Sequence, residues 1–157
     1  MGEKTKDWKN DLVFIIVSLI VIFAIHNGLK IALHTDSPLV IVVSGSMEPV
    51  FYRGDVVLLK GVKPEDIKIG DVVVYKRPYT KYPIIHRVRA IEKLMINGKE
   101  ELCFVTWGDN NPAPDPYPYS GKILPCVPQE AVEAKALLIF PKIGLIPLEI
   151  RERLGLT

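Results

Sequence analysis

The feature that most constrains this chain is an apolar run from Leu12 to Ile25, broken only by Ser18. Continuing through Gly28, Leu29, Ile31, Ala32 and Leu33 gives about 22 residues, or roughly 33 Å of helix, enough to cross a bilayer. His26, Asn27 and Lys30 fall near one end, where polar atoms reach the headgroups. A cleavable leader is the rival reading. It would need a shorter apolar core, about 7–15 residues, and a small-residue cleavage site. The stretch Leu29-Lys30-Ile31-Ala32-Leu33-His34 is a poor one. A retained anchor over residues 12–33 is therefore expected. Its direction follows from flanking basic residues. Lys4, Lys6 and Lys9 precede it, and after Lys30 nothing basic comes until Arg53. Residues 1–11 should be cytoplasmic and residues 34–157 should form an extracytoplasmic domain.

The anchor accounts for an unusual composition. The 157 residues are 48% hydrophobic, and the mean hydropathy of +0.21 is high for a soluble chain of this size. Charged residues at 24% exclude a disordered chain. A net charge of +2, from 20 basic and 18 acidic residues, is too small a bias for a nucleic-acid partner. Two cysteines, Cys103 and Cys126, cannot build a four-thiolate zinc site, and whether they pair is left open. No His/Cys cluster has metal-ligand spacing and no glycine-rich phosphate loop is present, so neither metal nor cofactor is expected.

Beyond Leu39 the chain reads as short strands with turn punctuation: Leu39–Val43, Val56–Lys60, Val72–Lys76, Pro83–Ile91, Glu101–Trp107 and Val132–Phe140. Gly54-Asp55 and Gly70-Asp71 are turns that deliver two similar strands, and Asn97-Gly98 is another turn signal. No helix of 10–15 residues separates these runs, so a parallel α/β sheet is excluded. The expectation is a mainly β chain, with a transmembrane helix followed by a small antiparallel, barrel-like domain. The apolar stretch Ala136–Ile150 is broken by Pro141, Gly144 and Pro147 and cannot span a bilayer. It reads as a last strand and closing turn, with a position against the membrane surface as the alternative.

Three segments carry residues fit for chemistry. In Val43-Ser44-Gly45-Ser46-Met47 an extended backbone would set Ser44 and Ser46 side by side, and Gly45 permits close approach of a substrate backbone. One hydroxyl would serve as nucleophile and the other as donor to an oxyanion. An ordinary Ser-Gly-Ser loop fits the same residues. Strand alternation puts His86 with Ile84, Val88 and Ala90, away from Arg87 and Arg89. An apolar face disfavours the imidazolium and leaves the neutral form that a general base needs. A structural histidine held by a backbone carbonyl fits equally. In Gly108-Asp109-Asn110-Asn111 the residues are turn chemistry, while Asp115 lies between Pro114 and Pro116. A carboxylate restrained in that way suits the orientation of an imidazole, and it also suits a rigid surface loop.

Together these segments resemble type I signal peptidases of the archaeal and endoplasmic-reticulum kind. Ser44-Gly45-Ser46-Met47-Glu48-Pro49 is similar to that family's nucleophile box, Gly70-Asp71-Val72-Val73-Val74-Tyr75 to its middle box, and Ile85-His86-Arg87-Val88 to its base box. Gly108-Asp109-Asn110-Asn111 with Asp115 is similar to its acidic box. The order matches, after an anchor, and the likeness runs through Ile143-Gly144-Leu145-Ile146-Pro147. The bacterial branch has a lysine where this chain has His86. The soluble self-cleaving LexA-like repressors share the Ser-Met-Glu-Pro element, but they use lysine and have no span.

The resemblance implies a membrane-bound serine endopeptidase that cuts signal peptides from preproteins after small residues. Its implied roles are Ser46 as nucleophile, His86 as base, Asp115 as the base's partner and Asp109 as a further active-site aspartate. Ser44 and the Ser46 N–H would bind the oxyanion. Asp71 is the second choice for the acidic role. Implied partners are preprotein signal peptides, the lipid bilayer and other signal peptidase or translocon subunits. The origin implied is archaeal or eukaryotic, and the brief N-terminus leans archaeal. Two rivals remain: an anchored peptidase of narrower specificity, such as for pilin-like precursors, and a silent β-domain that binds apolar peptides.

Overall fold

The protein is described from a computed structural model, over residues 8–155. Lys4 and Lys6, on which the expected orientation partly rests, lie outside the described residues. Helix α1 spans Trp8–Leu33, four residues earlier than the apolar run alone predicts. At 26 residues it is about 39 Å long, and none of its residues is buried by the rest of the protein. An apolar rod exposed all round belongs in an apolar medium. Its polar side chains look after themselves: Ser18 Oγ donates to Phe14 O (2.8 Å) and Asn27 Nδ2 to Phe23 O (2.7 Å). The helix ends at His34, which takes a left-handed φ of +51°. There the Gly61 N–H donates to Leu33 O (2.8 Å). A Cβ on Gly61 would sit 1.9 Å from His34 O, so only glycine lets the chain after the strand Val56–Lys60 meet the end of α1 so closely.

The remainder is mainly strand: β1 (Leu39–Ile41), β2 (Val56–Lys60), β3 (Val72–Tyr75), β4 (Ile84–Ile96), β5 (Lys99–Trp107), β6 (Tyr117–Tyr119), β7 (Lys122–Leu124), β8 (Val127–Pro128) and β9 (Val132–Phe140). Seven of these form one antiparallel sheet in the order β1-β2-β9-β3-β4-β5-β8, and β6-β7 is a separate hairpin. Register shifts at Leu58/Leu59, Val74/Tyr75 and Val88/Ala90 curl the sheet into a half-barrel. The expected antiparallel, partly closed β-domain is what forms. β4 and β5 run longer than expected because Asn97-Gly98, with φ of +52° and +80°, makes a tight hairpin turn.

β3 is buried along its whole length. Val72 and Val74 enter one hydrophobic cluster with Val42, Met47, Phe51 and Val57. Val73 and Tyr75 enter a second with Val88, Phe104, Tyr117 and Val127. Cys103 and Cys126 form a disulfide with Cα atoms 5.5 Å apart, which ties β5 to the segment entering β8 and answers the question the sequence left open.

The C-terminal stretch departs from expectation. The strand stops at Phe140, and helix α2 (Leu145–Arg153) follows where a closing turn is predicted. Pro147 reads as a breaker in sequence, but it is the third helical residue. In the first turn its missing N–H costs no intrahelical bond.

Candidate active site

The site lies at one end of the half-barrel, and each side chain is delivered by a different element. Val42 extends the β1–β2 pairing through Val42 N–H to Asp55 O (2.9 Å) and Gly54 N–H to Val42 O (2.8 Å). The chain then turns, with Glu48 N–H on Gly45 O (3.2 Å) and Phe51 N–H on Met47 O (3.0 Å). Met47 is fully buried in the first cluster and anchors the turn that presents Ser46. Ser44 Oγ lies 3.3 Å from Ser46 Oγ, so the two hydroxyls do sit side by side.

His86 comes from β4. Its cross-strand partner is Val73, and its neighbour two along, Val88, pairs with Thr106. Residues directly opposite share a face. The imidazole therefore rises from the second cluster, with the Thr106 hydroxyl beside it. His86 is only 6% exposed and Thr106 is 0%. The Tyr75 ring meets the imidazole edge-on at 6.5 Å between centroids. Burial, then the nearby Asp115 carboxylate, push the Tyr75 hydroxyl well above the ordinary tyrosine value.

Asp115 arrives from the loop after β5 and is locked there by its N–H on Thr106 O (2.8 Å). Its Oδ2 is 2.6 Å from His86 Nδ1 and accepts from Thr106 Oγ1 at 2.9 Å. An ionised carboxylate only accepts, so the proton sits on Nδ1 and Nε2 is left as an acceptor. His86 Nε2 lies 3.0 Å from Ser46 Oγ. The hydroxyl, imidazole and carboxylate are thus in series, with an acceptor on the hydroxyl proton and a buried anion to stabilise the imidazolium that results.

Asp109 is brought to the same loop but makes different bonds. Its carboxylate accepts from Arg87 Nε (2.9 Å) and Arg87 Nη2 (2.7 Å), and from Arg89. Arg89 in turn stacks on Trp107 at 5.2 Å. The hydrogen bond from Arg87, chiefly, holds the Asp109 carboxyl below the usual carboxylate range. Asp71 stands elsewhere: its Oδ2 accepts from Lys68 N–H (3.0 Å) and Lys135 Nζ (3.1 Å). Among the described residues no group of three or more His, Cys, Asp and Glu is arranged to hold a metal.

Several contributors escape a reading of the sequence. Asn110 donates its backbone N–H to Ser46 O (2.9 Å) and its side-chain Nδ2 to Gly45 O (3.1 Å), tying the acidic loop to the serine turn. Thr106 was discoverable, because it shares strand phase with the apolar Phe104. The site opens into a groove of about 720 Å³. Val40, Val42, Ile85 and Leu148 give it apolar walls, with Tyr82 and Arg151 also in the lining.

No protein-family model matches the chain. It is 36% identical over 131 residues to the signal peptidase complex catalytic subunit SEC11 of Komagataella phaffii, across 83% of this chain and 76% of the relative. The SEC11 subunit of Schizophyllum commune is 34% identical over 146 residues, across 76% of each chain. Human SEC11C is 36% identical over 118 residues, across 73% of this chain and 60% of its own length. Identity of this order, sustained over most of both chains, shows that this protein belongs to the family of signal peptidase complex catalytic subunits and is a protease.

Proposed function

We propose that this chain is a membrane-anchored serine endopeptidase that removes signal peptides from exported preproteins, cutting after small residues. The observation that carries the reading is the series Ser46 Oγ, His86 and Asp115, with separations of 3.0 and 2.6 Å, at the edge of an apolar groove. Ser46 attacks the scissile carbonyl as Nε2 of His86 takes its proton, and Asp115 stabilises the imidazolium. The Ser46 N–H and the Ser44 hydroxyl donate to the oxyanion. Protonated His86 then gives its proton to the leaving amine. A water deprotonated by His86 hydrolyses the acyl-enzyme. Asp109 acts by position: with Arg87 and Arg89 it holds the loop whose Asn110 grips the serine turn.

The segments assigned are a cytoplasmic N-terminus over residues 1–11, a transmembrane anchor over residues 12–33 and an extracytoplasmic catalytic domain over residues 34–157. A disulfide suits an oxidising compartment. The outer face of β1, β2 and β9 supports a domain resting at the bilayer. There Leu39 and Leu138 flank Leu58, and Ile41 and Phe140 flank Val56, with those four outer residues exposed. Holding enzyme and the apolar segment of its substrate in one plane raises the effective concentration of each for the other. The relatives are named as subunits of a signal peptidase complex, so further subunits are natural partners.

The test is cleavage of an Ala-x-Ala preprotein by full-length protein in liposomes, compared with Ser46→Ala. Cleavage at the expected bond by the wild type alone is the expected result. Equal cleavage by both would remove Ser46 from its role.

A further inference from the structure

Helix α2 closes one wall of the groove and is fastened there from two sides. Its lead-in is pinned to the turn before β2. Asp55, 4% exposed, accepts from Tyr52 N–H (2.8 Å) and from Lys142 N–H (3.0 Å). Gly144 N–H donates to Gly54 O at 2.8 Å. A Cβ on Gly54 would lie 2.3 Å from the Leu145 side chain, and one on Gly144 would lie 2.7 Å from Ile41. The other end is clasped from across the groove. The Arg151 guanidinium stacks on the Tyr82 ring at 5.1 Å and donates to its hydroxyl, while Glu152 pairs with Arg53.

Leu148 is the one buried residue of this helix, yet it belongs to neither hydrophobic cluster. It lines the groove together with Val40, Val42 and Ile85. A leucine removed from water in that way forms a wall of the substrate site rather than a piece of the core.

We propose that Leu148 is a specificity-determining residue, which sets the size of substrate side chain accepted upstream of the cut. The inference rests on reading the groove as the peptide site. An extended peptide presents alternate side chains to one side, roughly 7 Å apart. Beside β1 and Val42, which follows it, the residue at the scissile carbonyl lies by Ser44 and Ser46, both in the lining of the groove. The residue two places earlier then falls against Val42, Val40 and Leu148. A leucine there fills space that a larger substrate side chain would need, and α2 is too firmly fastened to retreat.

The test measures kcat/KM with full-length protein in liposomes, on preproteins that differ only at the third residue before the cut. Leu148→Ala should raise the Leu-to-Ala ratio at that position about tenfold or more, the worth of a few methylenes in an apolar pocket. Leu148→Phe should lower cleavage of the Ala preprotein relative to a Gly one. Leu148→Phe keeps the helix face covered, so it stands in should the alanine variant unfold. Ratios equal to wild type in a folded variant would overturn the proposal. Failure of the wild type to cleave any preprotein would overturn the peptidase reading itself, which is a separate result.

Discussion

Gly108 and Ser46 approach so closely that a Cβ on the glycine would lie 2.2 Å from the serine carbonyl oxygen and 3.0 Å from His86 Nε2. Gly108→Ala must therefore push the serine turn or the imidazole aside. A displacement near 1 Å in such a site costs about a hundredfold in rate. Preprotein cleavage should fall by that order with KM little changed, and a thermal melt will show that the domain remains folded.

The two aspartates of the acidic loop should separate clearly. Asp115→Asn leaves an amide that donates to His86 Nδ1 and favours the wrong tautomer, a defect worth about four orders of magnitude in kcat where the same constellation has been dissected. Asp109→Asn loosens the bonds to Arg87 and Arg89 and should cost far less, and Asp71→Asn less again. Measuring kcat for the three variants on one preprotein checks the ranking. The reverse order would move the base's partner to Asp109.

The fold should weaken in alkali. Burial raises Tyr75 above its ordinary value of 10.0, so above that pH the unfolded chain ionises the hydroxyl while the folded chain keeps it neutral. Stability is thus full below pH 10.0 and lost as pH rises beyond it. The Tyr75 hydroxyl makes no hydrogen bond within the described residues, so Tyr75→Phe should remove this alkaline loss with little cost at neutral pH. Chemical denaturation at pH 7 and pH 11 measures it.

Reduction of Cys103–Cys126 should destabilise the domain without touching Ser46, His86 or Asp115. The bridge spans 23 residues, and closing a loop of that length in the unfolded chain is worth about 3 kcal/mol. Intact mass should rise on alkylation only after reduction. Denaturant midpoints with and without reductant should differ accordingly.

Much of the site was legible because it is locally encoded. Gly45 between two serines, His86 in the apolar phase of a strand, and Asp115 between two prolines each constrain a few neighbouring backbone angles. The same holds for the long apolar run that becomes α1 and for the Asn97-Gly98 turn. Periodicity failed at Ala136–Ile150, where proline signals a break in a strand as readily as the first turn of a helix. The start of α2 is decided by Gly54 and Asp55, about ninety residues earlier.

What the sequence determined by itself was the kind of chain: an apolar helix that needs a lipid-like surrounding, followed by antiparallel strands, with a serine, a histidine and two aspartates in a recognisable order. Only the tertiary structure decided which carboxylate meets the imidazole. Asp109 and Asp115 lie six residues apart in one loop, and the prolines around Asp115 restrain its backbone without bringing it to His86. The arginines on β4 draw Asp109 away, while Thr106 on β5 holds Asp115 beneath His86. The groove is likewise a tertiary product, made where β1, the start of β4 and α2 converge. The physical reason is common to both. Charge pairing and burial act between residues that are distant along the chain, and no spacing within a segment records them.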